Sequence, residues 1–309
     1  MVKVFIDGSA GTTGLSIVNR LKTRDDISLI FLDEDMRKDD KARKQAIAES
    51  DITFLCLPDD AAKQAVAMAE DSDTVIIDTS TAHRVNSNFT YGFAEIHGQR
   101  EKIAKSKRIA NPGCHATGFI SLIKPLSDAG VLNTDYTLSC FSVTGYSGGG
   151  KKMIAEYEAE ENAKKLSSPG MYALSQTHKH LPEMMSVCEI NKPPVFCPIV
   201  APFYSGMLTA VTLSPEAVNI GIEQIKDIYK SYYSGKIVKY NENINGGFLY
   251  SGTLSGRDDM EIGVYGNDDR ITAVSLFDNL GKGACGSAIQ NMNIVLGLPD
   301  ETGLKLSEE

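Results

Sequence analysis

Six cysteines and five histidines carry the chain's capacity for nucleophilic and proton-transfer chemistry. Five of the cysteines (56, 140, 188, 197 and 285) lie in stretches such as ITFLCLP and SCFSV, and read as core thiols. Cys114 is different. In NPGCHATG (111–118) it follows a Pro-Gly turn and stands at the start of an amphipathic segment. A thiol at a helix N-terminus meets free N–H groups and the positive end of the helix dipole, both of which stabilise the thiolate. A thiolate nucleophile needs a group to handle its proton. His115 is the sequence neighbour but is expected to point elsewhere on the helix. In HKHLPE (178–183), Pro182 at a first helical position sets His180 just ahead of a helix, from where its ring can face the cysteine. A rival reading makes His178 and His180 metal ligands with Glu183 as a third. No other His/Asp cluster completes such a site, so no metal is expected.

GSAGTTG (8–14) spaces Gly8, Gly11 and Gly14 as GxxGxxG, with Ala10, Thr12 and Thr13 between them. It follows the apolar stretch VKVFID and opens a segment with Leu15, Val18 and Leu21 on one helical face. That is the setting of a dinucleotide site: glycine permits a tight turn, and the helix N-terminus receives a pyrophosphate. In FLDEDMRKDD, Asp33 suits the ribose 2'-hydroxyl of NAD, whereas Arg37 and Lys38 suit the 2'-phosphate of NADP. The two cations favour NADP(H). Two further stretches are suited to anions. SGGGKK (147–152) offers backbone N–H groups at Ser147 and Gly148, or alternatively a glycine hinge, and DTSTAHR (78–84) ends a strand with Ser80 and Arg84.

The elements that must position these groups fall into two kinds. Up to residue 113, strands apolar on both faces (2–7, 28–32, 52–58, 74–80, 107–111) alternate with helical stretches, which predicts a Rossmann-type doubly wound parallel sheet. Beyond Cys114, stretches such as YTLSCFSVTG, MLTAVTL and RITAVSLFD alternate, which predicts an α+β substrate domain with a mainly antiparallel sheet. The last helical stretch, 284–297, must dock elsewhere. The division expected is therefore 1–113 with 284–309 for the nucleotide, and 114–283 for catalysis, substrate and oligomerisation.

With 309 residues, 42% hydrophobic, the chain is long enough for two cores. A formal net charge of -9 and the lack of a long Lys/Arg block argue against nucleic acid and for a small-molecule substrate. No apolar run approaches a membrane span and MVKVFIDG reads as a strand, so a cytoplasmic, reduced protein is expected.

With GSAGTTG, LPDDAA, DTSTAHRV, YGFAEI, NPGCHATG, GYSGGGKK, HKHLPE and DNLGKGACGSAIQNMN in order, the chain resembles the N-acetyl-gamma-glutamyl-phosphate reductases in their shorter form. The related aspartate-semialdehyde dehydrogenases match less well, lacking HxHxxE. In YGFAEI, Ala94 replaces a more usual proline. The resemblance implies NADPH-dependent reduction of N-acetylglutamyl 5-phosphate to the semialdehyde in arginine biosynthesis. Cys114 matches the catalytic cysteine and His180 the general acid/base. It further implies that the C-terminal helix returns Asn291 to the cofactor, and that the protein is a homodimer or homotetramer. Asn111, Arg84, Ser147, Gly148, His178 and Glu183 are the expected substrate-binding set. Aspartate-semialdehyde dehydrogenase activity and a non-catalytic NADP sensor are the alternatives.

Overall fold

The computed structural model describes residues 1–242 and 246–307. Residues 308 and 309, included in the expected nucleotide domain, lie outside the described residues. The chain divides into two compact units, Met1–Ala94 with Gly98–Gly113 and Ala284–Leu304, and Glu95–His97 with Cys114–Gly283 and Lys305–Glu309. Lys305, placed with the nucleotide domain in the sequence-based division, is grouped instead with the second unit, where its backbone exchanges hydrogen bonds with Asp258.

In the first unit, β1 (Val2–Asp7), β2 (Ile27–Ile30), β3 (Ile52–Leu55), β4 (Val75–Asp78), β5 (Thr90–Tyr91) and β6 (Arg108–Ala110) form one parallel sheet in the order β2-β1-β3-β4-β6-β5. Its helices are α1 (Thr12–Leu21), α2 (Asp40–Glu49), α3 (Asp59–Met68) and α4 (Gln99–Ala104). The strands are apolar on both faces because each face has its own core. One joins Val4, Ile6 and Phe54 to Ile17, Val18 and Leu21; the other joins Phe5, Leu55 and Ile76 to Ala46, Ile47 and Ala65.

The second unit contains α5 (Cys114–Asp128), β7 (Ser139–Gly145), α6 (Gly150–Glu158), β8 (Gly170–Met171), α7 (Leu181–Cys188), β9 (Val195–Ala201), β10 (Met207–Leu213), α8 (Ile222–Tyr232), β11 (Val238–Tyr240), β12 (Met260–Asn267) and β13 (Arg270–Phe277). Its seven-stranded sheet runs β11-β12-β13-β10-β7-β9-β8 and is mixed. The pairs made by β10 with β13 and β7, by β12 with β13 and by β8 with β9 are antiparallel, as expected for most of it. β7 and β9 pair in parallel, since the long connection through α6 and α7 carries the chain back to the end of the sheet where β7 begins. One sheet face is buried at Cys140, Ser142, Phe196 and Thr209, while the other leaves Phe141 and Val195 exposed, at 45% and 46%. A π-helical turn, Gly281–Cys285, precedes α9 (Gly286–Val295), which belongs to the first unit and packs within it on α4 and β4.

Candidate active site

In the first unit the glycine turn is built from glycines with different duties. Gly8 has φ +87°, and a Cβ there would overlap the Cys56 carbonyl; a Cβ on Gly14 would overlap the Gly8 carbonyl. These two are required by the fold itself. Gly11, the residue before α1, has an ordinary φ of -72°, and a Cβ there would meet nothing closer than 3.4 Å. Its missing side chain leaves room at the helix N-terminus beside Thr12 and Thr13. A cavity of about 360 Å³ adjoins the turn, lined by Gly8, Ser9, Ala10, Glu34, Arg37 and Lys38. The two cations singled out in the sequence thus share a cavity with the glycine turn. They reach it from a 3-10 turn, Met36–Lys38, while Asp33 does not line it. At the end of β1, burial raises the pKa of Asp7, and the Arg43 guanidinium from α2 bonds its carboxylate at 2.9 Å.

Ser80 follows β4 with its hydroxyl donating to Asp78 at 2.7 Å, and the same carboxylate contacts His83 Nδ1 at 2.6 Å. Arg84 donates to the Asn111 and Thr79 carbonyls at 3.0 and 2.9 Å. The Asn111 side chain donates to the Ala284 carbonyl at 3.0 Å and accepts from Asn291 Nδ2 at 3.1 Å. Asn291, fully buried on α9, also donates to the Gly92 carbonyl at 3.0 Å. Among the described residues of the first unit, two buried side-chain oxygens are left with no hydrogen-bond partner, Thr12 Oγ1 and Asn291 Oδ1. The first suits a phosphate oxygen and the second an amide N–H donor. Together with the room over Gly11, they fit a nicotinamide dinucleotide.

In the second unit Cys114 is the first residue of α5 and is half-buried. Gly283 backs it: a Cβ there would lie 3.0 Å from the Cys114 Cβ. His180, 5% exposed, immediately precedes α7, whose first turn holds Pro182 and the buried Glu183. The His178 and His180 rings lie 4.7 Å apart. The His115 ring, expected to point elsewhere on the helix, lies 5.9 Å from that of His180. It turns inward between α5 and the sheet, where Nδ1 bonds Ser142 Oγ and Nε2 bonds the Tyr172 hydroxyl, each at 2.7 Å. Burial pushes the pKa of His115 down to about 3, helped by His178, and that of His178 down to about 4, helped by Lys179. Burial, with the charge of Cys114, holds the Tyr172 phenol well above its ordinary value.

Ser147 is buried in a 3-10 turn, Tyr146–Gly149, and accepts from Asn279 Nδ2 at 2.9 Å; Gly148 is exposed beside it. Lys151 and Lys152 stay exposed on α6. Tyr172 and Asn279 were not singled out in the sequence: Tyr172 lies in a polar run without periodicity, and Asn279 inside DNLGKG signals only a turn. Among the described residues, no group of three His, Cys, Asp or Glu side chains is placed to hold a metal ion. No described helix is long and apolar enough to cross a membrane.

Residues 3–106 match the family model described as semialdehyde dehydrogenase, NAD binding domain, and residues 114–279 match that described as semialdehyde dehydrogenase, dimerisation domain. The solved aspartate semialdehyde dehydrogenase II of Vibrio cholerae has this fold, with a TM-score of 0.74 and 18% identity over 96% of this chain and 99% of its own. The aspartate semialdehyde dehydrogenase of Francisella tularensis gives 0.72 and 16%, over 96% and 100%. Fold and matched domains define an oxidoreductase of the semialdehyde dehydrogenase class with a nicotinamide cofactor. Proteins of Brucella anthropi and Brucella ovis named N-acetyl-gamma-glutamyl-phosphate reductase are each 42% identical to this chain, over 96% of it and 98% and 99% of their own lengths. Within the class, the chain belongs to the N-acetyl-gamma-glutamyl-phosphate reductase family.

Proposed function

We propose that the protein reduces N-acetyl-L-glutamyl 5-phosphate to N-acetyl-L-glutamate 5-semialdehyde with NADPH, releasing phosphate, as a step of arginine biosynthesis. The observation that carries the mechanism is Cys114 at the first position of α5, in the same unit as the buried His115 and His180 rings and the half-buried His178 ring. Cys114 gives its proton to His180, and the thiolate attacks the acyl carbon. The carbon–oxygen bond to phosphate breaks with its electron pair on the leaving group, and a thioester remains. When bound, the reduced nicotinamide supplies the hydride that the thioester carbon accepts. His180 then returns the proton to the sulfur as the carbon–sulfur bond breaks and the aldehyde departs. Thr12 and Asn291 would hold the cofactor, and Arg37 and Lys38, lining the cavity beside the glycine turn, favour its 2'-phosphate. Arg84, Asn111, Ser147, Gly148, His178 and Glu183 remain the substrate-binding set.

We also propose a homodimer formed through the open sheet face, where the exposed Phe141 and Val195 flank the half-buried Val143, Cys197 and Ile199.

The test runs the reaction backwards with NADP and phosphate, offering N-acetylglutamate semialdehyde or aspartate semialdehyde and following the absorbance of the reduced nicotinamide. Phosphate-dependent reduction of NADP with the acetylated aldehyde alone supports the whole reading. Reaction with aspartate semialdehyde alone moves the substrate to that of the neighbouring enzymes. If protein that binds NADP turns over neither aldehyde, a sensor replaces the enzyme.

A further inference from the structure

We propose that His115 is a positioning residue that aims the Tyr172 hydroxyl proton into the Cys114 site, by fixing the direction of a buried hydrogen-bond chain. The chain runs from Tyr172 OH to His115 Nε2 at 2.7 Å, from His115 Nδ1 to Ser142 Oγ at 2.7 Å, and from Ser142 Oγ to Thr209 Oγ1 at 2.9 Å. It crosses from the loop after β8, through the first turn of α5, to β7 and β10.

Three of its members are buried, and Ser142 and Thr209 have no exposure at all. A neutral imidazole has one donor and one acceptor nitrogen, so the chain has two possible directions. In one, Tyr172 donates to Nε2, Nδ1–H donates to Ser142, and Ser142 donates to Thr209. The Thr209 hydroxyl hydrogen is then buried with no acceptor among the described residues, which is costly. In the other, Thr209 donates to Ser142, Ser142 to Nδ1, and Nε2–H to the Tyr172 oxygen. Every buried hydrogen then has an acceptor, and the one left over is the Tyr172 proton. Satisfaction of the buried hydroxyls therefore selects the second direction.

The ring can serve this way because it stays uncharged, burial having driven its pKa down to about 3. The Tyr172 proton is retained too, because burial and the nearby Cys114 charge oppose its loss. Tyr172 stands against the His178 ring at 5.8 Å and near enough to Cys114 for that residue's charge to act on its phenol, so its proton is placed beside Cys114. An acyl phosphate presents only acceptor oxygens to such a donor. That last step rests on the reading under Proposed function; the direction of the chain does not.

Two experiments on the full-length protein separate these. The first is long-range 1H–15N NMR of histidine-labelled protein without substrate. One ring should be an Nε2–H tautomer that fails to titrate down to about pH 5, and it should vanish in His115→Asn. An Nδ1–H tautomer, or a ring that titrates in the ordinary histidine range, overturns the proposal. Should His115→Asn fail to fold, Ser142→Ala removes the donor to Nδ1 and should convert the signal to a tautomer mixture; an unchanged tautomer again overturns it. The second is a double-mutant cycle on kcat/KM. His115→Asn and Tyr172→Phe should each cost about tenfold, with the double variant no worse than either. Multiplied losses would mean that His115 acts by packing alone. If wild-type protein turns over no aldehyde, the proposed function fails while the tautomer result still decides the role of His115.

Discussion

Gly11 and Cys114 each owe the role proposed for them to a single missing or reactive atom. A methyl at Gly11 meets no protein atom closely, so Gly11→Ala should cost the fold only about 0.5–1 kcal/mol, as alanine is a poorer helix cap. With the dinucleotide bound as proposed, the same methyl would meet the pyrophosphate, and overpacking of about 1–3 kcal/mol should weaken the Kd for NADPH about tenfold or more. Fluorescence titration alongside thermal melting checks this: equal affinity in the two proteins would place the pyrophosphate elsewhere. Cys114→Ser should lower turnover by at least about 10³-fold while NADPH binding stays nearly intact; a wild-type rate would end its role as nucleophile. The places of both residues at helix starts were legible in the sequence because Pro-Gly and GxxGxxG mark backbone events at fixed positions. Tyr172 was not, being 57 residues from His115 in sequence. Nor was the inward turn of His115, since helical spacing gives an angle around the axis but not which buried hydroxyls wait on each side.

At the scale of elements, α5 carries Cys114 and also carries Pro125 inside its own length. Proline has no N–H for the Ser121 carbonyl one turn earlier. The Tyr233 hydroxyl, at the end of α8, supplies that hydrogen at 2.7 Å, and Tyr229 donates to the next carbonyl, that of Leu122. Tyr233→Phe should therefore strand a buried carbonyl and lower stability by about 1–3 kcal/mol. Tyr232→Phe should cost less, because its partner Asp128 is exposed and also bonds Lys124. Urea unfolding of the two variants compares them, and equal losses would refute the account of Pro125. The long strands and α5 were readable from apolar patterning. β5, β8 and β11 span only two or three residues, too few to show a period, and the parallel pairing of β7 with β9 depends on the path of a distant connection.

For the molecule as a whole, proton binding and surface charge set the conditions under which it holds together. His115 and His178 titrate lower in the folded protein, at about 3 and about 4, than the usual value near 6.5. Below about pH 6.5 the unfolded chain binds the extra protons, so stability is undiminished above that pH. It falls as the pH drops, at up to about 1.4 kcal/mol per unit for the buried His115. Urea midpoints between pH 7.5 and 5 should decline accordingly, with a shallower slope in His115→Asn; a flat profile would contradict the neutral histidines. Association responds to charge differently. Each chain carries a formal net charge of -9 at pH 7, so in the proposed homodimer two copies would repel at long range while the sheet face would attract through its apolar side chains. Added salt should then tighten the dimer by screening the repulsion. Phe141→Asp, placed opposite Cys197 and Ala210 on the open face, should leave a folded monomer at micromolar concentration in sedimentation velocity. A Phe141→Asp protein that still sediments as the wild type does would move the interface to another surface, since an unpaired carboxylate cannot be buried against apolar side chains without a large cost.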